Sequence, residues 1–532
     1  MSVAETETLV EPAGVPRGRA MLQRAGWAAR AFATYDAGTV RRIVDAAAEA
    51  GAARAREFAE RTVAETGFGV VEHKVLKNVA CSTGIRDHYA GQDFVTPRVD
   101  RDLKIVEIPR PAGVVLALTP STNPVATVFF KILLSLMTRN AVVVCPHPYA
   151  KQVCADAARA MYEAARAAGA PDGCVQWVEE PSIPLLTALM SDERTDVVVA
   201  TGGTAVVRAA YRSGTPAIGV GPGNVPVLVD RTADLAAAAR RIADSKSFDN
   251  SVLCTNESVL VVEEAAADRL LRHLGREGAH LLEDAARDRV RETLFPGGRF
   301  DTSLVGKDAT AIAARAGVRV PPRTRVLLAP FDLPVPEEPL AHEKLCPVLG
   351  VLRVPTAARG VEAARALLRI GGAGHSAAIH STDPRTILDF GAAVRVLRVS
   401  VNAGASLGGA GLETNLAPSM TIGTGYVGRS SMGENLQPWH LVQPVRLAWN
   451  ADASVGMPAL DAAGLWSTPE GPVPPYPRAS NDPGPDVHDR TGLHDRTGLH
   501  DQRDGGMSPA AAELREEIRR LVIEELRAIV RG

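Results

Sequence analysis

The stretch Val197-Val-Val-Ala-Thr-Gly-Gly-Thr204 decides the fold class. Its β-branched run suits a buried strand, the two glycines allow a tight turn, and helical spacing follows. A strand that turns through glycine into a helix is half of a crossover unit, and crossovers build parallel sheets. The same pattern recurs on both sides. Short apolar runs at 113–118, 141–144, 175–178, 196–200 and 225–229 are each followed by a turn and a helix-like segment. A second set starts at 258–262 and continues at 348–354, 376–380 and 398–402. The interruption near 229–234 predicts two α/β lobes with a cleft between them. Ligands in such sheets bind beyond the carboxyl ends of the strands. Upstream, residues 39–88 carry Ala, Arg and Glu with Val40, Ile43 and Val44 at helical spacing, as expected of helices.

The chain has 532 residues, too many for one simple core. A net charge of −2 gives no electrostatic case for nucleic acid or an acidic membrane. No apolar run reaches the roughly 18 residues of a membrane span, and the acidic start does not read as a secretory signal. Six cysteines, at 81, 145, 154, 174, 254 and 346, are scattered without zinc-like spacing, so no metal is expected and a reduced, cytoplasmic setting is.

Three segments carry chemistry. In Ser247-Phe-Asp-Asn-Ser-Val-Leu-Cys-Thr-Asn-Glu257 a cysteine lies between a polar turn and a strand, a placement that suits a nucleophile facing the cleft. In Leu118-Thr-Pro-Ser-Thr-Asn-Pro-Val125 the Asn123 amide stands at a strand end, where it can meet a developing oxyanion; a turn Asn before Pro124 has the same spelling. The Thr201-Gly202-Gly203-Thr204 turn offers backbone amides to a phosphate, as many α/β loops do.

In this order, over roughly 28–450, the segments resemble the aldehyde dehydrogenase superfamily, and within it the coenzyme-A-acylating branch. Phe248-Asp-Asn-Ser-Val-Leu-Cys254 is similar to that branch's nucleophile motif, and Thr119-Pro-Ser-Thr-Asn-Pro124 to its oxyanion motif. Cys145-Pro-His-Pro-Tyr-Ala-Lys151 resembles the adenosine-side loop and Ala341-His-Glu-Lys-Leu-Cys-Pro-Val348 the segment reaching the nicotinamide ribose. Gly371-Gly-Ala-Gly-His375 and Leu416-Ala-Pro-Ser-Met-Thr-Ile-Gly423 complete the likeness. The resemblance implies a catalytic Cys254 with Asn123 as oxyanion donor. It implies cofactor contacts at Thr119, His147, Lys151, Thr201, Gly202, Gly203, Thr204, Gly221 and Glu343, with NAD as cofactor, NADP open, and coenzyme A as co-substrate. The aldehyde is expected to be short, like acetaldehyde or propionaldehyde, with functionalised ones open.

An absence bears on the second half-reaction. Hydrolytic relatives carry a Glu in Glu-Leu-Gly-Gly that activates water; here Ile218-Gly-Val-Gly-Pro-Gly-Asn224 puts Gly219 at that place. Losing a general base typically costs water attack about 100- to 10,000-fold, whereas a thiol is already partly ionised. Transfer to coenzyme A is therefore expected, with His375 as a candidate base if water is used after all. A hydrolytic or phosphate-using dehydrogenase and a non-catalytic protein on the same fold remain the alternatives.

The expected organisation is a cofactor-binding lobe at 1–228, including part of an oligomerisation hairpin near 92–110, and a catalytic lobe at 229–434. An oligomerisation segment at 435–450, a flexible linker at 451–507 and an amphipathic helix at 508–532 follow. The linker holds the tandem repeat His488-Asp-Arg-Thr-Gly-Leu493 and His494-Asp-Arg-Thr-Gly-Leu499. The helix opens at Ser508-Pro509 and carries an apolar stripe through Leu514, Ile518, Leu521, Val522, Leu526, Ile529 and Val530. By resemblance it is an encapsulation peptide for the shell proteins of a bacterial microcompartment; docking on its own enzyme is the simpler alternative. A dimer or tetramer is expected, and the aldehyde from a separate enzyme, because the tail has the wrong composition for a fused alcohol dehydrogenase.

Overall fold

A computed structural model describes residues 12–469; the proposed helix at 508–532 and the linker from 470 onward lie outside the described residues. Strands β1 (Arg98–Asp100) and β2 (Ile105–Ile108) form an antiparallel hairpin. A parallel sheet follows, built from β3 (Val114–Leu118), β4 (Ala141–Cys145), β5 (Val175–Trp177), β6 (Val197–Thr201) and β7 (Ala217–Val220), in the order β5-β4-β3-β6-β7. Every residue of β3 and β4 is buried, as in a parallel sheet covered on both faces. The helix Pro124–Met137 is apolar nearly all round and wholly buried, which is why it can lie in the interior.

The second sheet comprises β8 (Val225–Val229), β9 (Glu257–Glu263), β10 (Ala279–Leu281), β11 (Val326–Pro330), β12 (Val348–Val354), β13 (Ala377–His380) and β14 (Val399–Val401). All its neighbours are parallel, in the order β10-β11-β12-β9-β8-β13-β14. Here the structure corrects the reading of 225–229 as the end of the first set. β8 pairs with β9 and β13, so the chain changes sheets between β7 and β8, through residues 221–224. An apolar run states that a strand is buried, but not which sheet it joins.

Strand β15 (Val445–Ala448) returns to pair antiparallel with β2. It leaves Val445 and Leu447 exposed. Residues 451–469, read as part of a linker, are tied to the body. Lys104 Nζ donates to the carbonyls of Asn450, Asp452 and Val455 at 3.2, 2.7 and 2.8 Å. The Trp466 indole donates to the Val95 carbonyl at 3.1 Å, and the Thr468 hydroxyl bonds Asp36. An indole and a hydroxyl with fixed partners give this stretch anchors that its composition conceals. None of the described helices is long and apolar enough to cross a membrane.

Candidate active site

Two sets of strand ends frame the site. In the first sheet the strand order reverses direction at β3 and β6, and the crevice beyond their carboxyl ends holds residues 119–123 and 201–204. In the second sheet the candidate residues lie at the amino ends, contrary to the general expectation. Glu343 precedes β12, Cys254 precedes β9, Gly223 precedes β8 and His375 precedes β13, and these four strands are consecutive neighbours.

Cys254 alone of the six cysteines is partly exposed; the other five are buried. Its loop is pinned on both sides. Downstream, the Thr255 hydroxyl donates to the Ser406 carbonyl at 2.7 Å and the Asn256 amide to the Ser245 carbonyl at 2.9 Å. The Glu257 carboxylate accepts from the Ser245 hydroxyl at 2.7 Å and the Ala405 N–H at 2.8 Å. Upstream, Asp249, Asn250 and Ser251 all have left-handed backbone, with φ of 50°, 51° and 66°. Asp and Asn tolerate that region better than most residues. Asn250 Nδ2 holds the Gly306 carbonyl and Asp308 at 3.0 and 2.9 Å.

Asn123, the residue before the helix Pro124–Met137, is buried. Its Nδ2 points at the cysteine loop, 3.3 Å from the Val252 carbonyl, while its Oδ1 accepts from Lys77 Nζ. Lys77 also bonds the Asp249 carboxylate, which Lys74 Nζ meets at 3.1 Å. Both lysines lie one turn apart on the helix Val71–Val79 and are buried. Asp249 Oδ1 further accepts from the Val70 N–H at 2.7 Å. A Cβ on Gly69, whose φ is +81°, would collide with Asp249.

Gly223 brings the crossing loop against Cys254. A Cβ there would collide with the Cys254 carbonyl and stand 3.5 Å from the His375 ring. Its N–H donates to Glu343 Oε1 at 3.2 Å. His375 is buried; Nδ1 lies 3.1 Å from the Ser376 hydroxyl, and Nε2 has no partner among the described residues. Arg398 fixes it from behind, donating to the His375 carbonyl at 2.7 Å.

Burial dominates the electrostatics. It pushes the Cys254 thiol up to about 12, helped by the Glu343 carboxylate and opposed by Arg398. Burial likewise pushes Glu343 up to about 8, opposed by the Gly223 N–H, Lys246 and Lys344. His375 is lowered to about 3 by burial and by Arg398, so its imidazole is neutral.

On the first sheet's side, β6 ends at Thr201, whose hydroxyl is 3.0 Å from that of Thr421. The helix Thr204–Arg212 has Gly203 as N-cap and no side chain capping it. Nothing stands within 4 Å of a Cβ built on Gly203 or Gly221. The open Gly203 at an uncapped helix start fits a pyrophosphate. Lys151 pairs with Glu180, each just past the carboxyl end of its strand. His147 accepts from the Tyr149 N–H at 3.1 Å. Thr119 is turned inward, its hydroxyl 4.0 Å from Cys154 Sγ; of the expected cofactor contacts it is the one whose side chain the structure commits to the core.

The model of the aldehyde dehydrogenase family matches residues 9–289. This chain belongs to the aldehyde dehydrogenase family. It is 37% identical over 439 residues to the bifunctional aldehyde-alcohol dehydrogenase of Escherichia coli, covering 81% of this chain and 49% of that enzyme. The chain thus spans about half the length of that relative. Among solved structures, an acetylating aldehyde dehydrogenase from Geobacillus thermoglucosidasius has a TM-score of 0.81 at 35% identity, covering 84% of this chain and 98% of that one. Two propionaldehyde dehydrogenases are also similar. One, from Rhodopseudomonas palustris with bound CoA and an acylated cysteine, has a TM-score of 0.73 at 28% identity, covering 81% and 97%. The other, from a fucose-utilisation bacterial microcompartment of Clostridium phytofermentans, has a TM-score of 0.74 at 27% identity, covering 81% and 97%.

Gly219, read as standing where hydrolytic relatives carry a Glu, packs closely against the helix Thr204–Arg212. A Cβ there would lie 2.7 Å from both the Tyr211 ring and Val207 Cγ1. Sequence reasoning missed Lys74, Lys77 and Arg398. Two lysines at i and i+3 read as a solvated face, and nothing local marks them as buried.

Proposed function

We propose that the chain is a CoA-acylating aldehyde dehydrogenase that oxidises a short-chain aldehyde and delivers the acyl group to coenzyme A. Cys254 Sγ attacks the carbonyl carbon, and the oxyanion of the resulting thiohemiacetal accepts from Asn123 Nδ2. Residues 201–204, Gly221 and Glu343 would hold NAD, which would supply the hydride acceptor when bound. Loss of hydride leaves an acyl thioester on Cys254. The coenzyme A thiol then attacks that thioester, releasing acyl-CoA and the Cys254 thiolate. The proton of the coenzyme A thiol is taken up by the departing Cys254 sulfur, whose thiol is pushed up to about 12.

The observation that carries the reading is that the stretch Ile218–Asn224, read as standing where hydrolytic relatives carry their Glu, holds no carboxylate that could activate water. The acetylating relative and the CoA-bound neighbour support it. Glu180 beside Lys151 supports NAD over NADP, since a carboxylate there disfavours a 2′-phosphate. The exposed β15 edge supports assembly into a dimer or tetramer by strand pairing. The lobes then meet at 221–224, with 435–450 as the assembly segment. The apolar stripe at 508–532 and the microcompartment neighbour support a role as cargo that binds shell proteins.

The test is NADH formation from propanal with and without coenzyme A. Strong dependence on coenzyme A, with acyl-CoA as product, is expected. An equal rate without it, yielding free acid, would establish the hydrolytic alternative instead.

A further inference from the structure

Asn123 is held by a buried charge cluster that the chemistry above does not use. An amide has a donor end and an acceptor end, and an ammonium can bond only the acceptor. Lys77 Nζ bonds Asn123 Oδ1, so the amide is locked with Nδ2 toward the Cys254 loop. The same ammonium bonds Asp249, five residues before the nucleophile in the loop that carries it. Lys74 bonds that carboxylate at 3.1 Å and the Thr122 carbonyl at 3.3 Å. Two lysines against one carboxylate leave positive charge where none is needed for packing, next to the amide. All three side chains are buried, and burying an unbalanced charge is costly unless it serves something. A positive charge on Oδ1 also polarises the amide and strengthens its N–H as a donor.

We propose that Lys77 is a positioning residue for the oxidation step. Bridging Asp249 and Asn123, it ties the nucleophile loop to the oxyanion donor and fixes which end of the amide faces the thiohemiacetal oxygen. The proposal rests on the reading of Asn123 as oxyanion donor.

The test uses the full chain with Lys77→Met and Lys77→Gln, each in the wild-type and Asn123→Ala backgrounds. NADH formation from propanal gives kcat and KM; iodoacetamide alkylation of Cys254 gives a second rate. Alkylation at carbon forms no oxyanion, so it reports on the loop and thiol alone. Methionine leaves Asp249 paired with Lys74, so the carboxylate keeps a partner. Glutamine retains a donor to Oδ1 without the charge. Removing an oxyanion donor costs about 100- to 1,000-fold, so misaiming one is expected to lower kcat about 10- to 100-fold in Lys77→Met, with alkylation changed less than about twofold. Lys77→Gln is expected to lose less, and neither substitution to cost anything further in Asn123→Ala.

Wild-type kcat in Lys77→Met, additive losses in Asn123→Ala, or alkylation falling in step with kcat overturns the proposal. Wild-type turnover by Asn123→Ala alone overturns the oxyanion reading, and the proposal with it. A slow Asn123→Ala beside a fast Lys77→Met overturns the proposal only.

Discussion

Gly219 and Tyr211 are locked together: the Gly219 N–H donates to the phenol oxygen at 2.8 Å, and a Cβ on the glycine would lie 2.7 Å from the ring. The contact fastens the end of β7 to the helix Thr204–Arg212. Gly219→Glu is expected to destabilise the protein by about 1–3 kcal/mol through overpacking and to leave acyl-CoA as the product. Thermal unfolding and product analysis check this; an unchanged melting temperature with free acid formed would contradict it.

Ser251 has left-handed backbone at φ 66°, and its buried hydroxyl has no partner among the described residues. Ser251→Gly relieves both costs at once. A stabilisation of about 1–2 kcal/mol is expected, visible as a higher melting temperature with activity retained. A lower melting temperature would mean that the strain is repaid by contacts of the serine itself.

Cys254 is pushed up to about 12 by burial and the neighbouring Glu343 carboxylate. Only the thiolate alkylates, so below that value its population grows with pH. Iodoacetamide inactivation of the cofactor-free enzyme is expected to rise about tenfold per pH unit between about pH 7 and 9, without a plateau. A plateau near pH 8 would show the thiol to be ionised far more readily than its surroundings imply.

Glu343 is pushed up to about 8 by burial, so it is largely protonated at neutral pH. A ribose hydroxyl that donates to it favours the carboxylate. Binding of NAD at neutral pH is therefore expected to release a proton, with affinity rising with pH up to about 8 and flat above. Calorimetry in buffers of different ionisation enthalpy measures that release. Glu343→Gln is expected to abolish it; proton release that survives the substitution would assign it to another group.

Much of the fold is legible because strands of a covered parallel sheet spell themselves as short β-branched runs, as in β3, β4 and β6. The sheet to which β8 belongs is not legible, since pairing with β9 and β13 is decided by partners far along the chain. Cys254 and Asn123 are readable through the motifs around them. Lys74 and Lys77 are not, because only the approach of Asp249, more than a hundred residues on, takes them out of water. The tight fit at Gly219 likewise depends on Tyr211 turning back from its helix.

Enzyme mixed with NAD and propanal, without coenzyme A, should carry a propionyl mass on the peptide containing Cys254, seen by mass spectrometry after a rapid acid quench. Coenzyme A should then discharge that mass as propionyl-CoA much faster than buffer alone. The absence of any adduct on Cys254, or discharge in buffer as fast as with coenzyme A, would contradict the account.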